Sequence, residues 1–210
     1  MPRILVADNH SLFREGLALI LKSTFETAII DEACSGQEAL DKIWDNHYNV
    51  VLLDISIPGR DGLSVLNQLK REKSTTPVLV LSDHPEEQYA VRSLKAGAAG
   101  YLTKTCGKTT FVQAIQKVNE GEVYITPSLA QTLAKYVGRD LGEFPHEALT
   151  DREFEVFRLI VTGAHLNLIA EELSVSPKTI SAHRAHILKK MNMNSNAELV
   201  RYANEEGLFD

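Results

Sequence analysis

The sequence has little that would crosslink it or hold it in a membrane. Its 210 residues include two cysteines, Cys34 and Cys106, which are too few for a disulfide framework and have no metal-ligand spacing with a nearby histidine. We interpret both as reduced thiols. No apolar stretch reaches the roughly 18 residues that a membrane-spanning helix needs, and the first residues lack the basic and apolar regions of a secretion signal. We therefore expect a cytoplasmic protein without a membrane partner.

Positive charge is also scarce, since 22 Lys and Arg stand against 28 Asp and Glu, for a net charge of −6. Over the whole chain this balance argues against a non-specific nucleic-acid binder, whose affinity depends on cations that contact phosphates. Hydrophobic residues make up 44% and charged residues 24% of the sequence, close to the averages of globular proteins. This composition excludes collagen, coiled coil and wholesale disorder, and the length allows one large domain or two small ones.

Short apolar runs alternate with amphipathic segments through about residue 120. The runs have strand length and are mostly β-branched, which is typical of strands buried on both faces of a parallel sheet. They cover residues 4–7, 28–30, 50–53, 78–81 and 99–102. Helical periodicity covers about 11–23, 36–46, 62–72, 86–96 and 108–120. Five strand–helix units in series predict a doubly wound α/β domain with a five-stranded parallel sheet of the flavodoxin-like kind.

The remaining sequence predicts helices with no strand between them. Capping boxes begin at Thr150 and Ser195, and Pro177 stands at a first helical position after the N-cap Ser176. Residues 138–148 contain two Gly and one Pro without periodicity, which is typical of a linker. The predicted helices cover about 127–137, 150–162, 166–173, 177–191 and 195–205. We therefore divide the chain into an α/β domain at 1–122, a linker with one helix at 123–148, and a small all-α four-helix domain at 149–210.

Polar residues stand at the carboxyl ends of four predicted strands. They are Asp8 and Asn9, Asp54, Ser82 and Asp83, and Thr103 with Lys104. Ligands of open parallel sheets bind at this edge, so we expect these side chains to converge. A carboxylate can attack phosphorus when a divalent cation offsets the clustered negative charge, and a lysine and a hydroxyl can bind phosphoryl oxygens. This edge is therefore the candidate functional site.

Residues 1–122 resemble the receiver domain of two-component response regulators. The matching residues are Asp8, Leu53-Asp54, Pro58-Gly59, Asp61-Gly62, Ser82, Ala96-Gly97-Ala98, Gly100-Tyr101 and Lys104. The resemblance implies that Asp54 is the phosphoacceptor, that Ser82 senses the phosphoryl group, that Lys104 pairs with it, and that Tyr101 is a switch aromatic. It also implies a Mg²⁺ site formed by Asp8, Asn9, Asp54 and the backbone carbonyl of Ser56.

Asn9 departs from the receiver pattern, which has a second acid at this position. An amide oxygen can still bind Mg²⁺, but the pocket loses one formal charge. We therefore expect weaker Mg²⁺ binding and slower phosphorylation than in a typical receiver. Asp83 is a possible compensating acid, although we prefer to interpret it as a solvent-facing residue at a helix start.

Residues 149–208 resemble the helix-turn-helix domain of NarL/LuxR-type (FixJ) regulators. The matching residues include Leu149-Thr150, Arg152-Glu153, Ile169-Ala170, Val175-Ser176, Lys178-Thr179-Ile180, His183-Arg184 and Lys190-Met191. The resemblance implies that the helix at 177–191 enters the major groove of DNA. Residues 176–191 carry four cations and no acid, a local charge of +4 inside a negative chain. We thus expect weak DNA binding by one copy and stronger binding by a pair.

The candidate DNA-binding residues belong to this helix, most of them opposite its apolar stripe, with Arg184 near that stripe. They are Lys178, Thr179, Ser181, Ala182, Arg184, Ala185 and Lys189. Two departures from the family pattern, the segment at 165–168 and Ser181, predict a different recognised DNA sequence. The resemblance also implies that Leu199, Val200 and Ala203 form a dimer contact, although core packing explains some of these residues equally well.

We therefore expect a response regulator and not an enzyme. A cognate sensor histidine kinase would phosphorylate Asp54, and a homodimer would bind double-stranded DNA with roughly palindromic half-sites. One alternative is a DNA-binding regulator that works without phosphorylation, with Asn9 marking a degenerate receiver. A distant alternative is an aspartyl-phosphate phosphatase, which needs an acid two residues after its nucleophile, where this chain has Ser56.

Overall fold

The computed structural model describes residues 1–137, 144–173 and 175–209. The chain divides into two compact units, Met1–Ala134 and Lys135–Asp210, and each is treated by itself. No helix within the described ranges combines the length and the apolar character of a membrane span.

The first unit contains a parallel sheet with the strand order β2-β1-β3-β4-β5. The strands are β1 (Arg3–Ala7), β2 (Ile29–Ala33), β3 (Val50–Asp54), β4 (Val78–Ser82) and β5 (Gly100–Thr103). The helices are α1 (Ser11–Thr24), α2 (Gly36–Asp45), α3 (Gly62–Arg71), α4 (Glu86–Lys95) and α5 (Lys108–Asn119). Helix α6 (Pro127–Val137) begins in this unit and extends past its last residue, Ala134. The predicted doubly wound α/β fold with five parallel strands is confirmed.

Burial explains why the apolar runs form the centre of this sheet. All five residues of β3 and all five of β4 are buried, because helices cover both faces of the sheet. On one face α1 packs against α5, and Leu17 and Leu21 share a core with Phe111 and Ile115. Helix α2 packs against α3, and α3 packs against α4. The helices packed on both faces therefore fix the position of the sheet's carboxyl edge.

The edge strand β2 differs from its prediction, which placed a strand at 28–30. Its pairing with β1 continues to Ala33 through two acidic residues. Asp31 accepts a hydrogen bond from Arg3 Nε, and Glu32 accepts one from Arg14 Nε, each at 2.7 Å. An edge strand needs less apolar burial than a central one, so the apolar run alone marks only part of it.

The second unit is helical. It contains a 3-10 turn (Pro145–Ala148), α7 (Asp151–Val161), α8 (Leu166–Glu172), α9 (Pro177–Lys190) and α10 (Asn196–Glu205). Thr150 and Glu153 form the predicted capping box at the start of α7, while Ser176 and Ser195 cap α9 and α10. Phe154 and Phe157 are buried in the core between the helices.

The predicted linker contributes a short helical turn to this second unit. Residues 145–148 form the 3-10 turn, and His146 is buried with its Nδ1 2.7 Å from the Tyr202 hydroxyl. The sequence shows no periodicity here because a single turn is too short to display one. Residues 138–143 of the predicted linker lie outside the described ranges.

Candidate functional site

Four polar residues of the first unit meet at the carboxyl edge of the sheet. Asp8 directly follows β1, Asp54 ends β3, Ser82 ends β4, and Lys104 directly follows β5. Asp8, Asp54 and Ser82 are each at most 2% exposed. Because the strands are parallel neighbours, their ends lie side by side, and Asp8, Asp54 and Lys104 converge as expected from the sequence.

Local packing fixes the two carboxylates. Arg14 Nη1 donates a 2.7 Å hydrogen bond to the Asp8 carbonyl and so connects the end of β1 to α1. The backbone N–H of Ser56 donates to Asp54 Oδ1 at 3.1 Å. A Cβ at Gly62 would stand 2.6 Å from the Asp54 carbonyl oxygen, so only glycine lets the start of α3 approach the end of β3 this closely.

The Lys104 ammonium lies between the carboxylates. Its Nζ is 2.8 Å from Asp8 Oδ2 and 3.0 Å from Asp54 Oδ2, and the lysine side chain is itself buried. Asp83 Oδ2 lies 3.3 Å from the same Nζ, although the Asp83 side chain is 63% exposed. Asp83 thus faces both solvent and the ammonium, and it precedes α4 by several residues instead of starting it.

The electrostatics of the cluster follow from burial and from this ammonium. Burial raises the pKa of Asp54, the nearby Asp8 charge adds to the rise, and Lys104 and the Ser56 N–H oppose it. Burial alone would lower the pKa of Lys104, but its contacts with Asp8 and Asp54 outweigh this effect and raise it. The lysine is therefore held in its charged form beside the nucleophile candidate.

Ser82 and Tyr101 are linked through the loop after β4. The His84 N–H donates to Ser82 Oγ at 3.1 Å, and the Tyr101 hydroxyl donates to the His84 carbonyl at 2.7 Å. Tyr101 is fully buried, which raises the pKa of its hydroxyl. Ser82 and Tyr101 therefore share the His84 backbone as a hydrogen-bond partner.

Two histidines also lie at this edge, although they were not predicted from the sequence. His10 Nδ1 lies 2.9 Å from Asp8 Oδ1 and 3.4 Å from Lys104 Nζ. His84 Nε2 lies 3.2 Å from Ser56 Oγ, and its ring stacks on Tyr89 at 4.9 Å. Each histidine stands two residues after a candidate residue at a strand end, and this spacing is the signal that could have found it.

The acidic residues can hold a divalent cation. Within the described residues, Asp8, His10 and Asp54 form a group whose potential ligand atoms all lie within 4.8 Å of one another. Asp8 Oδ2 is buried and, apart from its ion pair with Lys104, has no hydrogen bond in the described chain. Carboxylate oxygens suit Mg²⁺. Asn9 is exposed beside this group, so its part in a Mg²⁺ site stays a prediction, as does that of the Ser56 carbonyl.

Helix α9 of the second unit presents the predicted DNA-binding residues on its outside. Ile180 and Ile187 face the core and are fully buried. The exposed candidates are Lys178, Thr179, Ser181, Ala182, Ala185 and Lys189. Arg184 is half-buried, and its Nε donates to Asn196 Oδ1 at 2.7 Å, so this arginine also connects α9 to α10.

The predicted dimer residues have different surroundings. Leu199 and Ala203 are 0% and 1% exposed inside their own unit, so they offer almost no surface to a second copy. This burial corrects the prediction for these two residues, because the single-chain core accounts for them. Val200 is half-buried, and its role as a dimer contact stays a prediction.

The fold and the site together define a two-part regulator, with an α/β unit that carries a buried acidic cluster and a helix-turn-helix unit. The response regulator receiver domain family matches residues 4–116, and the luxR family of bacterial regulatory proteins matches residues 147–203. The chain belongs to the response regulators with a LuxR-type DNA-binding domain. The family predicted from the sequence motifs is thereby confirmed.

Individual relatives match along the whole chain. The response regulator GacA of Pseudomonas protegens is 35% identical over 210 residues, covering 100% of this chain and 99% of that protein. The oxygen regulatory protein NreC of Staphylococcus carnosus is 33% identical and covers 99% of both chains. The crystal structure of full-length FixJ from B. japonicum has a TM-score of 0.53 at 27% identity, covering 100% of this chain and 98% of that one. The chain therefore matches these regulators over nearly their whole length.

Proposed function

We propose that a cognate sensor histidine kinase phosphorylates Asp54 and that this modification controls DNA binding by the second unit. The observation that supports the proposal most strongly is the Asp54 carboxylate, buried at the sheet edge with the Lys104 ammonium 3.0 Å away. A buried carboxylate beside a fixed cation is able to accept a phosphoryl group whose charge the cation then balances.

The chain's own residues account for the transfer. A carboxylate oxygen of Asp54 attacks phosphorus, and the bond from phosphorus to the kinase's histidine nitrogen breaks, which leaves the imidazole with its electron pair. Lys104 holds one side of the phosphoryl group by charge, and the Ser82 hydroxyl donates to one of its oxygens. Bound Mg²⁺, held by Asp8 and Asp54, would offset negative charge as the phosphorus is attacked.

The new group then rearranges the contacts at the edge. A phosphoryl group adds about two negative charges, so the Lys104 ammonium moves from Asp8 toward it. The Ser82 side chain turns its hydroxyl proton toward the phosphate, and this movement changes the bond that its Oγ accepts from the His84 N–H. The loop that contains His84 moves with the Ser82 side chain. Because the His84 carbonyl accepts a hydrogen bond from Tyr101, the movement extends to β5.

To test the proposal, the full-length protein is incubated with a small phosphodonor and Mg²⁺, and its intact mass is then measured by mass spectrometry. The wild type is expected to gain the mass of one phosphoryl group, and Asp54→Ala is expected to gain none, because it lacks the nucleophile. Asp61→Ala, which removes an acid that caps α3, serves as the matched control and should still be modified. An adduct on Asp54→Ala would contradict the proposal.

Enzymatic activity is not part of the proposed function. Ser56 occupies the position two residues after Asp54, and its hydroxyl contacts His84 in place of the acid that aspartyl-phosphate phosphatases use. Rapid turnover of a phosphoester by the purified protein would instead favour the phosphatase. DNA binding that is equal with and without a complete adduct would favour the regulator that works without phosphorylation.

Asn9→Asp is expected to tighten Mg²⁺ binding by about 10-fold, since it restores an acid beside Asp8 where the wild type has an exposed amide. Isothermal titration calorimetry of Mg²⁺ measures the change, and the rate of adduct formation should rise with it. Asn119→Asp adds the same charge at the exposed end of α5 and is the control. Equal Mg²⁺ affinities of wild type and Asn9→Asp would show that Asn9 does not weaken the site.

The second unit is proposed to bind double-stranded DNA as a homodimer on roughly palindromic half-sites. Small side chains at Ala182 and Ala185 let α9 approach the major groove, while Lys178 and Lys189 reach phosphates or guanine. One helix of local charge +4 binds weakly, so pairing of two copies supplies the affinity. Because the proposed partners are a sensor histidine kinase and chromosomal DNA, the protein is proposed to act in the cytoplasm.

A further inference from the structure

Four atoms of metal-ligand type surround the Lys104 ammonium. They are Asp8 Oδ2 at 2.8 Å, Asp54 Oδ2 at 3.0 Å, Asp83 Oδ2 at 3.3 Å and His10 Nδ1 at 3.4 Å. Three are carboxylate oxygens, and the fourth is an imidazole nitrogen. The lysine therefore occupies the position where these side chains would bind a metal cation, and one of the available donors is nitrogen.

His10 has conflicting contacts in this arrangement. Its Nδ1 lies 2.9 Å from Asp8 Oδ1, to which only a protonated Nδ1 donates, and 3.4 Å from the Lys104 ammonium, from which only an unprotonated Nδ1 accepts. One nitrogen atom cannot make both hydrogen bonds. A metal ion between Asp8 and Asp54 would use the lone pair of the unprotonated Nδ1 and replace both contacts.

We propose that His10 Nδ1 is a ligand of the divalent-cation site, together with Asp8 and Asp54, and that the site therefore favours transition-metal ions such as Mn²⁺, Co²⁺ or Zn²⁺ over Mg²⁺. Imidazole suits these ions, whereas Mg²⁺ takes oxygen ligands and retains several waters. Asn9 acts in the same direction, because an exposed amide replaces the acid that would favour Mg²⁺. The inference deepens the proposed function, since it concerns the same pocket.

The geometry allows this ligand set with small movements. The ligand atoms of Asp8, His10 and Asp54 lie within 4.8 Å of one another, and a metal with bonds of about 2.1 Å spans about 4.2 Å between opposite ligands. The His10 side chain is 58% exposed and makes no capping bond at the start of α1, so its ring can turn without disturbing the helix. Lys104 moves aside, as it also does when it meets a phosphoryl group.

The test compares Co²⁺ and Mg²⁺ binding by tag-free full-length protein, measured by calorimetry on the wild type and on His10→Ala. We expect His10→Ala to lose on the order of 10-fold or more in Co²⁺ affinity and to change Mg²⁺ affinity by less than about 2-fold. His47→Ala, which removes an exposed histidine from the loop before β3, should change neither. Pulsed electron paramagnetic resonance of the Mn²⁺-loaded protein should show nitrogen coupling that only His10→Ala abolishes.

The carboxylates alone can bind both ions, so the deciding quantity is the change in the Co²⁺/Mg²⁺ affinity ratio between wild type and His10→Ala. An equal Co²⁺/Mg²⁺ ratio in wild type and His10→Ala, or the absence of nitrogen coupling in the wild type, overturns the inference. Circular dichroism establishes that His10→Ala is folded. Formation of the Asp54 adduct with Mg²⁺ separates the two proposals, because it would persist if only the choice of metal were wrong.

Discussion

Lys104→Met is expected to lower the free energy of unfolding of the α/β unit by about 3 kcal/mol at neutral pH. Asp8 and Asp54 are both buried, and the ammonium 2.8 and 3.0 Å away is the cation that compensates them in the structure. Methionine keeps most of the side-chain volume but removes this charge. Two adjacent buried carboxylates then remain, and one must take up a proton or draw in solvent.

The loss of folding stability in Lys104→Met depends on pH. Burial holds the pKa of Asp54 above its usual value in the folded state. A carboxyl with a raised folded pKa contributes stability at low pH and loses it as the pH rises through that pKa. Without Lys104, which opposes the rise, the pKa of Asp54 increases further. The difference between Lys104→Met and wild type should therefore be largest at neutral and higher pH and should shrink on acidification.

Urea unfolding followed by tryptophan fluorescence measures this difference. Trp44 is the single tryptophan of the sequence and lies in α2, so its signal reports the α/β unit. Lys108→Met removes an exposed lysine at the start of α5 and should change stability by less than about 0.5 kcal/mol. If the two variants had the same stability at neutral pH, the ammonium would not be compensating the buried carboxylates.

The double variant Lys178→Ala and Lys189→Ala is expected to weaken DNA binding strongly and to flatten its dependence on salt. Both lysines are exposed on α9, on the side away from buried Ile180 and Ile187. Each phosphate contact contributes a slope of about −0.9 to log K against log salt concentration, so two lost contacts reduce the slope by about 1.8 per bound chain. The affinity at low salt should fall by about 100-fold or more.

The measurement is fluorescence anisotropy over a salt series, with a duplex selected from a random-sequence library by the wild-type protein. Arg201→Ala is the matched control, because Arg201 is an exposed cation on α10 that pairs with Glu205 in the same unit. Its slope should equal that of the wild type. Unchanged slopes in the lysine variant would remove this side of α9 from the DNA interface.

The sequence predicts most of the fold because apolar periodicity and capping chemistry are local. The central strands are recognisable from the apolar runs at 50–53 and 78–81, and Thr150 with Glu153 marks the start of α7. Features that depend on strand pairing or on isolated turns cannot be predicted from local periodicity. The acidic end of β2 is held by hydrogen bonds to β1, and the 3-10 turn at Pro145–Ala148 is held by buried His146.

The candidate site is predictable in the same partial way. The carboxyl ends of parallel strands lie at the same edge of a sheet, so the proximity of Asp8, Asp54 and Lys104 could be predicted from their positions at the ends of the predicted strands. The contact between His10 and Lys104 depends on how two loops fold over the sheet edge, which periodicity does not encode. The inward packing of Leu199 and Ala203 is likewise a property of the folded unit, because an apolar helix face looks the same whether it contacts its own core or a partner.

The most direct test of the central claim is the DNA affinity of the full-length protein before and after complete modification by a phosphodonor with Mg²⁺. Phosphorylated wild type is expected to bind the selected duplex about 10-fold more tightly than the unmodified protein, a coupling of ordinary size between two sites. Asp54→Ala should bind equally under both conditions. Identical affinities for fully phosphorylated and unmodified wild type would contradict control of DNA binding by Asp54.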